Sequence, residues 1–262
     1  MINNYYFPFG KQLQKVEQQD KTPKEFFVLG VYASAVHACW CDNKGKQKIA
    51  ALAVSSEPEI FWTGENADEI IRKIEIPEEL GTLTVPRDSK LNGPSGRALD
   101  ELFLKPLGQS RKSTWLCDLL PYSRVNENQK RAIENHYSKE VIEKFKLNPA
   151  TIPDFDKREL NSSDRRFEIL KELELSKAET IVLLGDLPIY WFLRFFDKKY
   201  SKLSQFGEDI GTYGKVHEIK INSCIYKIIP LCHPRQAARL GSSSNKWGLL
   251  HDNWIKNKAT KR

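Results

Sequence analysis

The sequence predicts an α/β protein, a three-layer sandwich in which a central four-stranded parallel sheet carries helices on both faces. Two observations predict it. Four near-continuous apolar runs, Phe26–Tyr32, Thr114–Leu120, Thr180–Leu184 and residues 226–232, have the length and composition of strands buried on both faces. Helical periodicities lie between them, and alternation of the two element types implies parallel strands joined by crossover helices. A third observation points to where a ligand sits. The last run ends abruptly in Cys232-His233-Pro234, and the earlier runs end in comparable polar punctuation. In open α/β sheets, ligands bind outside the carboxyl ends of the strands.

The elements follow in chain order. Residues 1–24 read as a short N-terminal extension before the first strand. Residues 49–62 alternate as a hairpin inserted after that strand. The Asn92-Gly93-Pro94-Ser95 turn starts a helix over 96–104, with Leu99, Leu102 and Phe103 on one face. A helix over 126–145 carries Ala132, Ile133, Tyr137, Val141 and Phe145. Residues 146–161 are a polar connection with Pro149 and Pro153. Ser162 or Ser163 caps a helix over 164–175, because a hydroxyl before the first turn accepts an otherwise unpaired N–H. Pro188 suits the first turn of a helix through Tyr190, Leu193 and Phe196. A last helix near 246–256 groups Trp247, Leu250 and Trp254, and residues 256–262 form a basic tail. The whole chain reads as one domain, residues 1–262.

Composition narrows the class. A 262-residue chain with 40% hydrophobic residues fills a real core. Pro and Gly are too scarce for a disordered chain. The net charge of +7 fits either a solvated lysine-rich surface or an anionic partner such as nucleic acid. Cys117 and Cys232 sit inside apolar runs as reduced core residues, and Cys39-Trp40-Cys41 lacks the two-residue gap of a zinc knuckle or redox pair, so no metal is expected. No secretory leader opens the chain, and no apolar stretch is long enough to span a bilayer. The expected protein is a cytoplasmic monomer without a membrane association.

The order of the strand-end motifs resembles the uracil-DNA glycosylase superfamily. The first strand ends in a loop, Gly30-Val31-Tyr32-Ala33-Ser34-Ala35-Val36-His37, the second in Leu116-Cys117-Asp118-Leu119, the third in Leu184-Gly185-Asp186-Leu187-Pro188, and the fourth in His233-Pro234-Arg235-Gln236 with Arg239 and Gly241 following. In that superfamily the first loop places a water-activating side chain, the second strand end reads the base edge, the third leads to a phosphate-holding loop, and a His-Pro loop enters the minor groove. The resemblance spans roughly residues 26–256. It implies a glycosylase-like fold and a cofactor-independent enzyme that flips a damaged or deaminated base from DNA and hydrolyses its N-glycosidic bond. The chain departs from the pattern at Tyr32, where an Asp or Asn is usual, at Ala33 in place of Pro, and at Asp118, where Asn is common. These departures also fit a catalytically silent relative that binds DNA or a lesion.

The resemblance implies catalytic roles for His233, Asp118 and Tyr32, and a base pocket of Gly30, Tyr32, Ala33, Ser34, Asn92 and Asp118. It places Ser34, Gly185, Asp186, Arg235, Gln236, Arg239, Ser242, Ser243 and Ser244 against single- or double-stranded DNA. The chemistry fits these types. A duplex base must be flipped out before its bond is cleaved. His233 can donate to the anion that develops on the departing base. An ionised Asp118 only accepts, so it suits a base edge that donates, whereas a protonated Asp118 mimics Asn and requires a pKa raised by burial. The Tyr32 ring can stack on a flipped base. His37 reads as an exposed side chain that contacts DNA or solvent.

Overall fold

The computed structural model describes residues 5–240 and 245–260. Among them the strands are β1 (Phe26–Tyr32), β2 (Ala35–Cys41), β3 (Gln47–Ser56), β4 (Thr82–Thr84), β5 (Thr114–Leu120), β6 (Thr180–Leu184), β7 (His217–Ile221) and β8 (Cys224–Leu231). The chain divides into two compact units. The first contains Met1–Val16, Ala33–Pro94 and Tyr122–Asp156, and the second Glu17–Tyr32, Ser95–Pro121 and Lys157–Arg262.

The second unit is built on a mixed sheet in the order β5-β1-β6-β8-β7. The first three pairings, β5 with β1, β1 with β6, and β6 with β8, are parallel. They join the four runs identified in the sequence. All seven residues of β5 are buried, as are four of the five in β6, because helices cover both faces. The sheet is not limited to four strands. β7 pairs antiparallel with β8 at the edge, through a two-residue turn in which Asn222 adopts φ 52°. Such a left-handed residue matches the twist of a tight hairpin. The sequence reading missed β7 because it is short and has only two buried apolar residues, Ile219 and Ile221, with Glu218 and Lys220 facing water.

The helices of this unit follow from local chemistry. Ser162 caps Ser163–Ser176 by accepting the Arg165 N–H at 3.1 Å. That helix packs against β5 and β1. Pro94–Leu107 is helical throughout, with a π turn over Asp100–Leu104. The C-terminal helix, Asn245–Ala259, runs further than expected and takes in part of the basic segment. Lys261 and Arg262 lie outside the described residues. Among the described residues, no helix is long and apolar enough to cross a membrane.

The first unit is built on the order β3-β2-β4. Residues 49–62 do not fold into a hairpin of their own. Their first part belongs to one long strand, β3, that pairs antiparallel with β2, and residues 57–62 lie beyond its end. The Asp42 carboxylate closes the turn between the two strands by accepting the Lys44 and Lys46 N–H groups, each at 2.9 Å. The core holds Trp40, fully buried, whose Nε1–H donates to the Leu80 carbonyl at 2.8 Å. Phe9 packs edge-on against Trp40 and Tyr137. The N-terminal segment is therefore not an appendage: Phe7, Leu13 and Val16 are all buried. The helix expected over 126–145 breaks at Tyr137 and Ser138 into Glu127–His136 and Lys139–Phe145.

Candidate active site

The order β5-β1-β6 puts β1 between the strands that follow it in the sheet, so the chain reverses direction across the sheet at β1. The carboxyl edge at such a reversal is the usual ligand position in open α/β sheets. Cys117, Leu29, Leu183 and Pro230 form one row across the four parallel strands. Asp118 lies one residue beyond the row on β5, and His233 three residues beyond it after β8. Three strand spacings separate β5 from β8, about 14 Å between axes.

Asp118 is 2% exposed. Its neighbour on β1 is Gly30, which offers no side chain beside the carboxyl. Trp115 and Cys117 face the helix Ser163–Ser176, where Trp115 Nε1–H donates to Glu172 and Arg165 reaches the Cys117 sulfur. Side chains alternate along a strand, so Asp118 points to the opposite face. Arg165 grips only its main chain: Nε and Nη2 donate to the Asp118 carbonyl at 3.2 and 2.7 Å. The carboxyl oxygen Oδ1 is buried without a hydrogen-bond partner. Burial pushes the Asp118 pKa up to about 7, against the nearby charge of Arg165 and with that of Glu172. An orphaned buried carboxyl costs stability unless a ligand satisfies it.

His233 is partly buried and caps the short helix Pro234–Ala237. Its main-chain N–H donates to Gln236 Oε1 at 3.1 Å, and its Nδ1 accepts the Arg235 N–H at 3.2 Å. With Nδ1 an acceptor, the neutral ring carries its proton on Nε2 and presents a donor. Burial, with the charge of Arg235 adding to it, lowers the His233 pKa to about 4, so the ring is neutral at pH 7. Gly185 holds the end of β6 against this turn. Its N–H donates to the Leu231 carbonyl at 2.8 Å, and its φ of 88° with ψ of −171° is a glycine conformation. A Cβ there lies 3.6 Å from His233 Cβ.

Behind His233 runs a buried polar chain that motif reading did not foresee. Tyr213 Oη accepts the Cys232 N–H at 2.9 Å and lies 2.8 Å from His251 Nδ1. His251 Nε2 lies 2.9 Å from the Leu102 carbonyl, which fixes its proton on Nε2 and makes Nδ1 the acceptor of the tyrosine hydroxyl. The sequence offered as a signal only His251 among the apolar positions of the last helix, since Tyr213 lies in a polar segment.

The other expected site residues divide. Tyr32, at the end of β1, is 37% exposed at the carboxyl edge. Arg235 is exposed and has no ion pair among the described residues. Three others of this unit already hold the protein together. Asp186 Oδ1 accepts the Leu203 N–H at 2.7 Å. Gln236 completes the His233 cap. Arg239 pairs with Asp252 at 2.5 Å, so a phosphate there must displace a carboxylate. Ser242, Ser243 and Ser244 lie outside the described residues.

Three belong to the first unit. Ala33 is fully buried. The Ser34 N–H donates to the buried Glu57 carboxylate at 2.9 Å, which leaves that amide engaged rather than open to a phosphate. The Asn92 amide clamps the His37 main chain, accepting its N–H at 2.8 Å and donating to its carbonyl at 2.9 Å. His37 is not the exposed side chain expected from the sequence. It is 9% exposed because β2 continues through it, and its Nε2 lies 2.7 Å from Gln129 Nε2.

His37, His233 and His251 share an electrostatic consequence. Burial holds each at a pKa of about 4, whereas an unfolded histidine titrates near 6.5. Between those values the unfolded chain binds more protons, so stability is full above pH 6.5 and falls as pH drops toward 4. Asp118 contributes with the opposite sign over the same window, but as one group against three. The urea midpoint is expected to fall between pH 7 and pH 5; a midpoint that rises on acidification contradicts the assignment.

No protein-family model and no curated protein matches this chain.

Proposed function

We propose that this protein is a DNA glycosylase-like enzyme that flips a modified base into the crevice at the carboxyl edge and hydrolyses its N-glycosidic bond. The observation that supports the reading is the placement, at the ends of two parallel strands of one mixed sheet, of a neutral histidine donor and a buried carboxyl whose Oδ1 has no hydrogen-bond partner. The bond electrons leave with the base, and the sugar C1′ takes up the oxygen of water. His233 Nε2–H donates to the base oxygen where negative charge develops, as an oxyanion donor does. Asp118, with a pKa of about 7, accepts from a donating base edge or from the attacking water when ionised. Tyr32 offers a ring for stacking on the flipped base.

The alternative is a silent relative that keeps the pocket and binds lesions without excising them. Tyr32 favours it, because a phenol is a poor base at neutral pH. A panel of labelled oligonucleotides, each with one modified base, followed by alkali to cut abasic sites, separates the two. Strand breaks at one base type support the enzyme. Tight binding with every base left intact supports the silent relative.

DNA affinity is expected to fall steeply with added salt, because cationic contacts to phosphates release counterions. The net charge of +7 and the exposed Arg235 motivate this. Fluorescence anisotropy across a salt series checks it. Affinity that is flat with salt, or absent at low salt, counts against any DNA role.

A further inference from the structure

The second unit carries cations stacked on exposed aromatic rings. The Arg166 guanidinium lies 3.5 Å from the centre of the Phe195 ring, and that of Arg194 lies 4.7 Å from Tyr190. Phe195 is 51% exposed and Tyr190 39%, so neither ring serves mainly to fill the core. Neither arginine has a carboxylate partner among the described residues, whereas Arg72, Arg111, Arg131, Arg165 and Arg239 are all ion-paired. Arg166 Nη1 is moreover shielded from water without a hydrogen-bond partner. These are planar cations with donors to offer, held flat by a ring.

Their position matters. Arg166 stands in the first turn of the helix Ser163–Ser176, next to Arg165, which grips the Asp118 carbonyl. The helix Asp186–Trp191 starts at Gly185, beside His233, and packs against β1 and β6. Tyr190 is four residues past Asp186, about 6 Å along that helix. The stacked pairs thus lie toward the carboxyl edge on the side of the sheet that the helix Ser163–Ser176 covers.

Resting on the reading above, we propose that the Arg166–Phe195 and Arg194–Tyr190 pairs form a stacking platform for an unpaired segment of nucleic acid running beside the base pocket. Unpaired bases stack on aromatic rings and on guanidinium planes, while the guanidinium edges meet phosphates. A duplex keeps its bases stacked on one another and offers such rings nothing to receive. Uncompensated positive charge excludes a basic or neutral apolar partner and suits a polyanion.

The test is anisotropy with labelled oligothymidylate, oligouridylate and a duplex of equal length, using the full chain. Wild type is expected to prefer the single strands. Phe195→Leu and Tyr190→Leu keep apolar bulk and are expected to weaken single-strand binding about tenfold each, with a smaller change for duplex. Arg166→Gln and Arg194→Gln are expected to flatten the salt slope by about 0.7 per lost phosphate contact. Arg166→Lys and Arg194→Lys preserve charge and fold, and are expected to lose affinity while keeping the slope. Losses that are equal for DNA and RNA support the platform, as do losses confined to one. If wild type binds single strands and the lysine and leucine variants match it, the platform is overturned and the glycosylase reading stands. If wild type binds duplex alone, the platform falls in the same way. If wild type binds no oligonucleotide, both readings fall.

Discussion

His233→Ala is expected to lower base release about 10²-fold or more while leaving binding to an abasic-site duplex nearly unchanged. The imidazole is held neutral by burial, and its Nδ1 is already occupied by the Arg235 N–H, so Nε2–H is its one donor. A preorganised donor aimed at developing charge acts on the transition state far more than on the ground state, and removing one typically costs two to three orders of magnitude in rate. On the proposed reading, binding to an abasic duplex would rest on phosphate contacts rather than on His233. The check is single-turnover release from the best substrate of the oligonucleotide panel, beside anisotropy on the abasic duplex. An alanine variant that retains full activity removes His233 from the chemistry. A variant that loses binding and activity together assigns it to holding the turn, since it also caps Pro234–Ala237.

Asp118→Asn is expected to stabilise the protein at pH 8 and to change which base is released. Folding raises the Asp118 pKa from an ordinary carboxyl value to about 7, chiefly by burial. The unfolded chain therefore gives up its proton first. The stability of wild type is highest in this respect below pH 4 and is lost as pH rises from about 4 to 7. At pH 8 a buried anion is present, and an amide of the same shape removes it. The gain is on the order of a few kcal/mol at pH 8 and vanishes at pH 4. Urea unfolding of both proteins at the two pH values measures it, and a variant less stable than wild type at pH 8 refutes it. An amide also donates, so the base profile is expected to shift toward edges that accept as well as donate, as uracil's does. An unchanged profile separates Asp118 from base reading without touching its electrostatic role.

What the sequence by itself determined is the α/β class and the four parallel strands of the larger sheet. Four apolar runs could only be strands covered on both faces, and β1, β5 and β6 match them to the residue. Backbone hydrogen bonding and burial act there on a few contiguous residues, so the pattern is local. The punctuation after each run was legible for the same reason: Gly185 needs its positive φ, and His233-Pro234 caps a helix through neighbours two and three residues away.

Only the tertiary structure decided what those ends do. Strand β2 follows β1 after two intervening residues, and its first part reads as a loop in the sequence because its partner, β3, lies beyond a turn. β7 was hidden by its shortness and polarity, since only pairing with β8 makes its two isoleucines a strand face. That Asp118 points away from Arg165 and keeps an unpartnered oxygen depends on helix Ser163–Ser176 arriving from more than forty residues on, a residue separation of 47 for the Arg165 contact. Tyr213 and His251 meet behind Cys232 across 38 residues. Asn92, Ser34 and Gln236 read as ligand contacts by type, yet their polar groups find partners within the protein. Residue type fixes what a side chain can donate or accept. Which partner it reaches, and whether water reaches it first, is settled by long-range packing that a local pattern does not encode.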